Sequence, residues 1–138
     1  MRARPYSRVD PLIFFLDRNI GKRIVADALR HAGVEVEVHD DHFPPNARDD
    51  GWLPPAGERG WIVLTRDDRI RYRSQERTAF IQARVRAFVL GGRSLSGPAM
   101  AEAFVKALPA MRRFVAQYQA PFIARVTQAG SVSLLLKP

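Results

Sequence analysis

A chain of 138 residues, 46% of them hydrophobic, fits one domain with a core of its own, and its lack of cysteine excludes disulfides, thiolate zinc centres and cysteine nucleophiles. The net charge of +8 is unevenly placed: through Asp68 there are 12 acids and 10 Lys/Arg, whereas from Arg69 onward 2 acids face 12 Lys/Arg. That asymmetry points to a polyanionic partner, nucleic acid first, although a solvated basic surface gives the same composition.

No apolar run approaches the roughly 18 residues of a membrane span. The start of the chain has Arg2, Arg4 and Arg8 but no long apolar stretch behind them, so a secretory signal is not expected and a cytoplasmic location is. Residues 1–11 read as a flexible basic arm on a single domain spanning 1–138.

Leu12 to Leu16 is a continuous apolar run ending at Asp17, which reads as a strand buried on both faces. Asn19 is expected to cap a helix carrying Ile20, Ile24, Val25, Ala28 and Leu29 at helical spacing and ending at Gly33. Val34 to Val38 alternates strictly, as a strand at a sheet edge does. His39 to Asp50 is a polar loop containing Pro44-Pro45. Trp52 to Arg59 is a short helix at most, with Asp49 or Asp50 as its cap and Gly60 closing it.

Trp61 to Leu64 is a second wholly apolar strand, and Thr65-Arg66-Asp67-Asp68 follows it. A basic turn holds Arg69, Arg71 and Arg73, then Ser74 to Val85 reads as a helix and Arg86 to Leu90 as a fourth strand. Ser96-Gly97-Pro98 starts another helix. Pro109 is expected to break it and open a further one that Pro121 ends. Phe122 to Val126 and Ser131 to Lys137 form a strand pair around Ala129-Gly130.

This order predicts a three-layer α/β sandwich with a mostly parallel sheet, plus the C-terminal strand pair. The two wholly apolar strands should be central neighbours, giving a strand order that begins 2-1-3-4. The topological switch point then falls between the first and third strands, at whose carboxyl ends ligands bind in open parallel sheets. Asp17 and Asp67 stand there.

Converging carboxylates repel one another unless a cation neutralises them, and an all-oxygen set suits Mg²⁺ or Mn²⁺ rather than zinc. A hard cation in basic surroundings suits phosphodiester hydrolysis. Asp49 or Asp50 is the candidate third ligand. Asp68 joins only if the backbone turns there. Each aspartate also has a plainer reading as a cap or turn former. Thr65 is placed to hydrogen-bond Asp17, and Arg69, Arg71 and Arg73 to guide a phosphate backbone, with Tyr72 available for stacking on a base. His39, Asp40, Asp41 and His42 form a second polar cluster, but without a helix or strand register it is a weak metal signal. His31 suits the C-terminal dipole of its helix, and Trp52 and Trp61 suit packing. No phosphate-binding loop, nucleophile elbow or dinucleotide fingerprint is present, and Arg18 beside Asp17 argues against a phosphoacceptor receiver.

Three segments, Phe14 to Asn19, Asp49 to Leu53 and Trp61 to Asp67, resemble the PIN-like domains, which include the VapC-type toxin ribonucleases. The resemblance runs over about residues 12–90. It implies a metal-dependent endoribonuclease, the toxin of a type II toxin–antitoxin pair, with Asp17 and Asp67 as metal-binding acids and the middle acid on Asp49 or Asp50. It implies a further acid, for which Asp68 is nearest and Glu76 another candidate, with Asn19 and Thr65 in support. Candidate partners are RNA, an antitoxin protein and a second copy of the chain. The alternative is a catalytically inactive module of the same fold that binds RNA or protein, with salt-sensitive and metal-independent RNA binding.

Overall fold

The computed structural model describes residues 12–44, 46–47, 49–67 and 74–136, without the side chains of residues 49, 50, 74–76 and 136. The expected basic arm at 1–11, and Asp68, Arg69, Arg71, Tyr72 and Arg73, lie outside the described residues.

The elements in order are β1 (Ile13–Leu16), a 3-10 turn (Arg18–Ile20), α1 (Ile24–His31), β2 (Glu35–Val38), a second 3-10 turn (His39–Asp41), α2 (Asp49–Glu58), β3 (Ile62–Thr65), α3 (Ser74–Ala83), β4 (Arg86–Leu90), α4 (Gly97–Gln117), β5 (Phe122–Val126) and β6 (Val132–Leu136). They form one six-stranded sheet in the order β2-β1-β3-β4-β5-β6. The first five strands run parallel, and β6 returns antiparallel along β5. The expected order is therefore found, and the C-terminal pair extends the main sheet.

The unbroken apolar runs are explained by the layers. Along β1, Phe14 and Leu16 face one side and Phe15 the other, and along β3, Ile62 and Leu64 oppose Val63. The first side packs against Val25, Ala26 and Leu29 of α1 and Phe104, Ala107 and Met111 of α4. The second packs against Trp52, Leu53 and Ala56 of α2 and Phe80 of α3. A strand with helices on both faces has no wet side on which to place polar residues. The edge strand β2 does have one: Glu35 is exposed while Val36 and Val38 are buried.

The chain departs from its sequence reading in several places. Helix α1 begins at Ile24, has no side-chain cap, and leaves Ile24 51% exposed. Asn19 is not its cap: it sits inside the 3-10 turn that Asp17 caps, so its amide is available to the neighbouring strand. Helix α2 starts at Asp49, so Asp49 and Asp50 open its first turn, and Pro54 and Pro55 lie inside it. Helix α3 stops at Ala83 because Arg84 takes the left-handed conformation (φ 56). Gly57 permits close contact of α2 with α3, since a Cβ there would collide with the carbonyl of Ala83.

Pro109 does not break α4, which runs unbroken from Gly97 to Gln117 behind a Ser96 cap. Ala101, Phe104, Leu108, Met111 and Val115 form one buried stripe through the proline, whose own ring faces solvent. Burial of that stripe outweighs the roughly 3 kcal/mol that proline costs inside a helix. Replacing Pro109 by alanine should therefore raise stability by about 2 kcal/mol, the helix gain less about 0.4–1 kcal/mol of lost restriction in the unfolded chain. A higher urea midpoint at unchanged slope is the expected result.

Candidate active site at the sheet switch point

From β1 the chain passes to β2 on one side and then crosses back to β3 on the other, so the topological switch point falls between β1 and β3. Leu16 pairs with Leu64, and the ladder continues one residue further, Asp17 N donating to Leu64 O at 2.9 Å. Asp17 thus leaves the sheet beside the end of β3, its position fixed by backbone bonding.

Thr65 closes β3 and is 3% exposed. Its hydroxyl donates to Asp17 Oδ2 at 2.7 Å. It accepts from the backbone N–H of Asp67 at 3.0 Å and from Asn19 Nδ2 at 3.2 Å. Asn19 Oδ1 also lies 3.4 Å from this hydroxyl. A hydroxyl has one proton, and the shorter bond to a charged acceptor takes it. The Asn19 amide is oriented by its other contact, Oδ1 accepting from Arg66 N at 3.1 Å, because a backbone N–H can only donate. The second Asp17 oxygen accepts from Arg18 N at 2.6 Å.

Asp17, Asn19, Thr65 and the backbone of Asp67 are therefore brought together. Asp49 and Asp50 are placed by their backbone alone, in the first turn of α2. That turn is tied to the site by Trp52, whose ring centroid lies 5.3 Å from that of Phe15, two residues before Asp17. Asp68, Arg69, Arg71 and Arg73 fall outside the described residues, as do the side chains of Asp49, Asp50 and Glu76. Sequence reasoning gave Arg66 no part here, yet its guanidinium reaches the carbonyls of Leu90, Gly91 and Gly92.

The oxygen donors fit a hard divalent cation. A ligating carboxylate is itself ordinarily held by an outer hydrogen bond of the kind Thr65 gives Asp17. Among the described residues no three His, Cys, Asp or Glu side chains stand close enough to hold a metal. The His39–His42 cluster disperses. His39 is buried against Phe15, Phe43 and Trp52, with Nδ1 3.1 Å from Asp40 Oδ1, while His42 Nε2 lies 2.7 Å from Glu37 Oε1 and its ring packs on Trp61. Trp52 and Trp61 are buried packing residues, as expected.

The family described as PIN like domain matches residues 12–92, more than half of the chain. The chain belongs to the PIN-like domain family. The matched stretch of this PIN-like chain contains the candidate site, from β1 to the turn after β4. A Mycobacterium tuberculosis protein named "Putative ribonuclease VapC45" is 27% identical over 125 residues, covering 88% of this chain and 90% of that protein. No solved structure matches significantly. Among the described residues, no helix is long and apolar enough to cross a membrane.

Thr65 joins the two strand ends of the PIN-like sheet through one buried hydroxyl. Thr65→Val keeps the shape but removes the hydroxyl's hydrogen bonds to Asp17, Asn19 and the Asp67 amide, and should cost about 2–3 kcal/mol, whereas Thr65→Ser should cost under about 1 kcal/mol. Urea unfolding of the two variants checks the difference.

Proposed function

We propose that the protein is a divalent-metal-dependent endoribonuclease that hydrolyses RNA phosphodiester bonds and acts in the cytoplasm as the toxin of a type II toxin–antitoxin pair. The observation that carries this reading is the juncture at the switch point, where one buried hydroxyl ties Asp17 to the segment bearing Asp67. Membership of the PIN-like family and similarity to a protein named as a ribonuclease support it.

In this reading Asp17, Asp67 and one of Asp49 and Asp50 hold Mg²⁺ or Mn²⁺, and Asp68 is a further candidate. A bound cation would supply Lewis acidity and charge neutralisation at the scissile phosphate. Thr65 keeps the Asp17 carboxylate turned toward the site, and Asn19 holds the start of the Asp67 segment. Arg69, Arg71 and Arg73 would take the RNA phosphates, and an antitoxin protein is the proposed partner.

Purified protein given RNA and Mn²⁺ should cleave it. Asp17→Ala and Asp67→Ala should each reduce cleavage by more than about a hundredfold, beyond the usual cost of losing an outer-shell partner. Of Asp49→Ala and Asp50→Ala, the one with the larger loss of Mn²⁺ affinity identifies the third ligand. Cleavage persisting in both the Asp17 and Asp67 variants, or absent from the parent, would refute the catalytic reading. Salt-sensitive RNA binding without metal dependence would indicate the inactive binding module instead.

A further inference from the structure

Arg66 stands between Thr65 and Asp67 and is half-buried. Its backbone N–H faces β1 and donates to Asn19 Oδ1. Its guanidinium reaches the other way, to the strand on the far side of β3. Nη1 donates to the carbonyls of Leu90 at 2.9 Å and Gly91 at 3.1 Å, and Nη2 donates to that of Gly92 at 2.8 Å. Three consecutive carbonyls at the end of β4 and in the turn after it thus converge on one side chain.

We propose that Arg66 is a positioning residue for Asp67: its guanidinium on the β4-end carbonyls and its backbone N–H on Asn19 hold the acid-bearing segment from both sides. The catalytic consequence rests on the reading of Asp67 as a metal-holding acid. The segment has left the sheet by this point, since β3 ends at Thr65. The Thr65 hydroxyl restrains it from within, Asn19 from the β1 side and the guanidinium from the β4 side.

The chemistry requires arginine. Three carbonyls spread over successive residues need donors fanned out in a plane, which guanidinium supplies and the compact lysine ammonium does not. The donors that bond these carbonyls point into the protein backbone, so they are not presented to a substrate phosphate. Arg66 would therefore act on turnover through geometry and leave RNA affinity little changed.

The test uses the full chain with Arg66→Lys and, as a second variant, Arg66→Gln. Amide hydrogen exchange, read by NMR without RNA or metal, should show the amides of residues 66 and 67 exchanging about tenfold faster than in the parent, with those of Phe15 and Val63 unchanged. With RNA and Mn²⁺, kcat should fall about ten- to a hundredfold while KM stays within about threefold, as expected for a displaced catalytic group. Unchanged exchange at Asp67, or equally faster exchange in every strand, overturns the assignment. So does full turnover in the lysine variant, or a raised KM at unchanged kcat, which would mark Arg66 as a phosphate contact. If the parent cleaves no RNA, the ribonuclease reading fails by itself, and the exchange pattern still decides whether Arg66 holds Asp67.

Discussion

A single buried hydroxyl sets the geometry of the candidate site. Thr65 Oγ1 has one proton and two lone pairs, and all three are engaged: with Asp17, with the Asp67 amide and with Asn19. Such saturation is possible only if β1 and β3 are adjacent, parallel and in the register that pairs Leu16 with Leu64. A slip of one residue would turn Thr65 to the opposite face and put Leu64 or Arg66 in its place beside Asp17. The site therefore inherits its precision from the sheet, and the sheet inherits its register from Phe14, Phe15, Leu16, Ile62, Val63 and Leu64, each at most 1% exposed.

The same packing brings in the acids of α2. Phe15 lies between two tryptophans, stacked on Trp61 with ring centroids 5.2 Å apart and tilted against Trp52 at 5.3 Å. Trp61 leads into β3 and Trp52 sits in the helix that Asp49 and Asp50 open. One aromatic residue of β1 thus contacts the elements that carry the other candidate acids, while Asp17 follows two residues later. Aromatic contacts of this kind contribute about 0.5–1.5 kcal/mol each beyond burial, and they fix orientation as well.

Features decided by local pattern were legible in the sequence. Unalternated apolar runs marked β1 and β3 as central, alternation marked β2 as an edge, and together they placed Asp17 and Asp67 at the switch point. Features decided by three-dimensional competition were not. Asn19 has the composition of a cap, but the 3-10 turn directs its amide to Arg66 and Thr65. Pro109 carries a strong local signal to stop, and a buried stripe on both sides of it overrides that signal. The cluster from His39 to His42 looks like one group in the sequence, yet burial of His39 and the pairing of His42 with Glu37 separate its members. Arg66 was invisible because its partners are backbone carbonyls, which leave no trace in residue identity.

The uneven charge of the chain becomes a spatial division at this end of the sheet. The acids come from the first half, at the ends of β1 and β3 and the start of α2. Beyond β3 the bases take over: Arg66 grips the end of β4, Arg125 of β5 reaches Gly91 closely enough that its Nη1 would lie 2.9 Å from a Cβ there, and Arg93 is exposed in the same turn. In the proposed reading a polyanion laid across this sheet end would meet the exposed Arg93 on the β4–β5 side, where contacts to phosphate release counterions, while Arg66 stays engaged with backbone carbonyls. On the β1–β3 side it would meet carboxylates, which repel it unless a cation neutralises them. In the proposed reading that arrangement would make the acidic side the place where a phosphate approaches together with a cation, and strand order alone would set it, because β1 and β3 lie next to each other and β4 and β5 follow on the same flank.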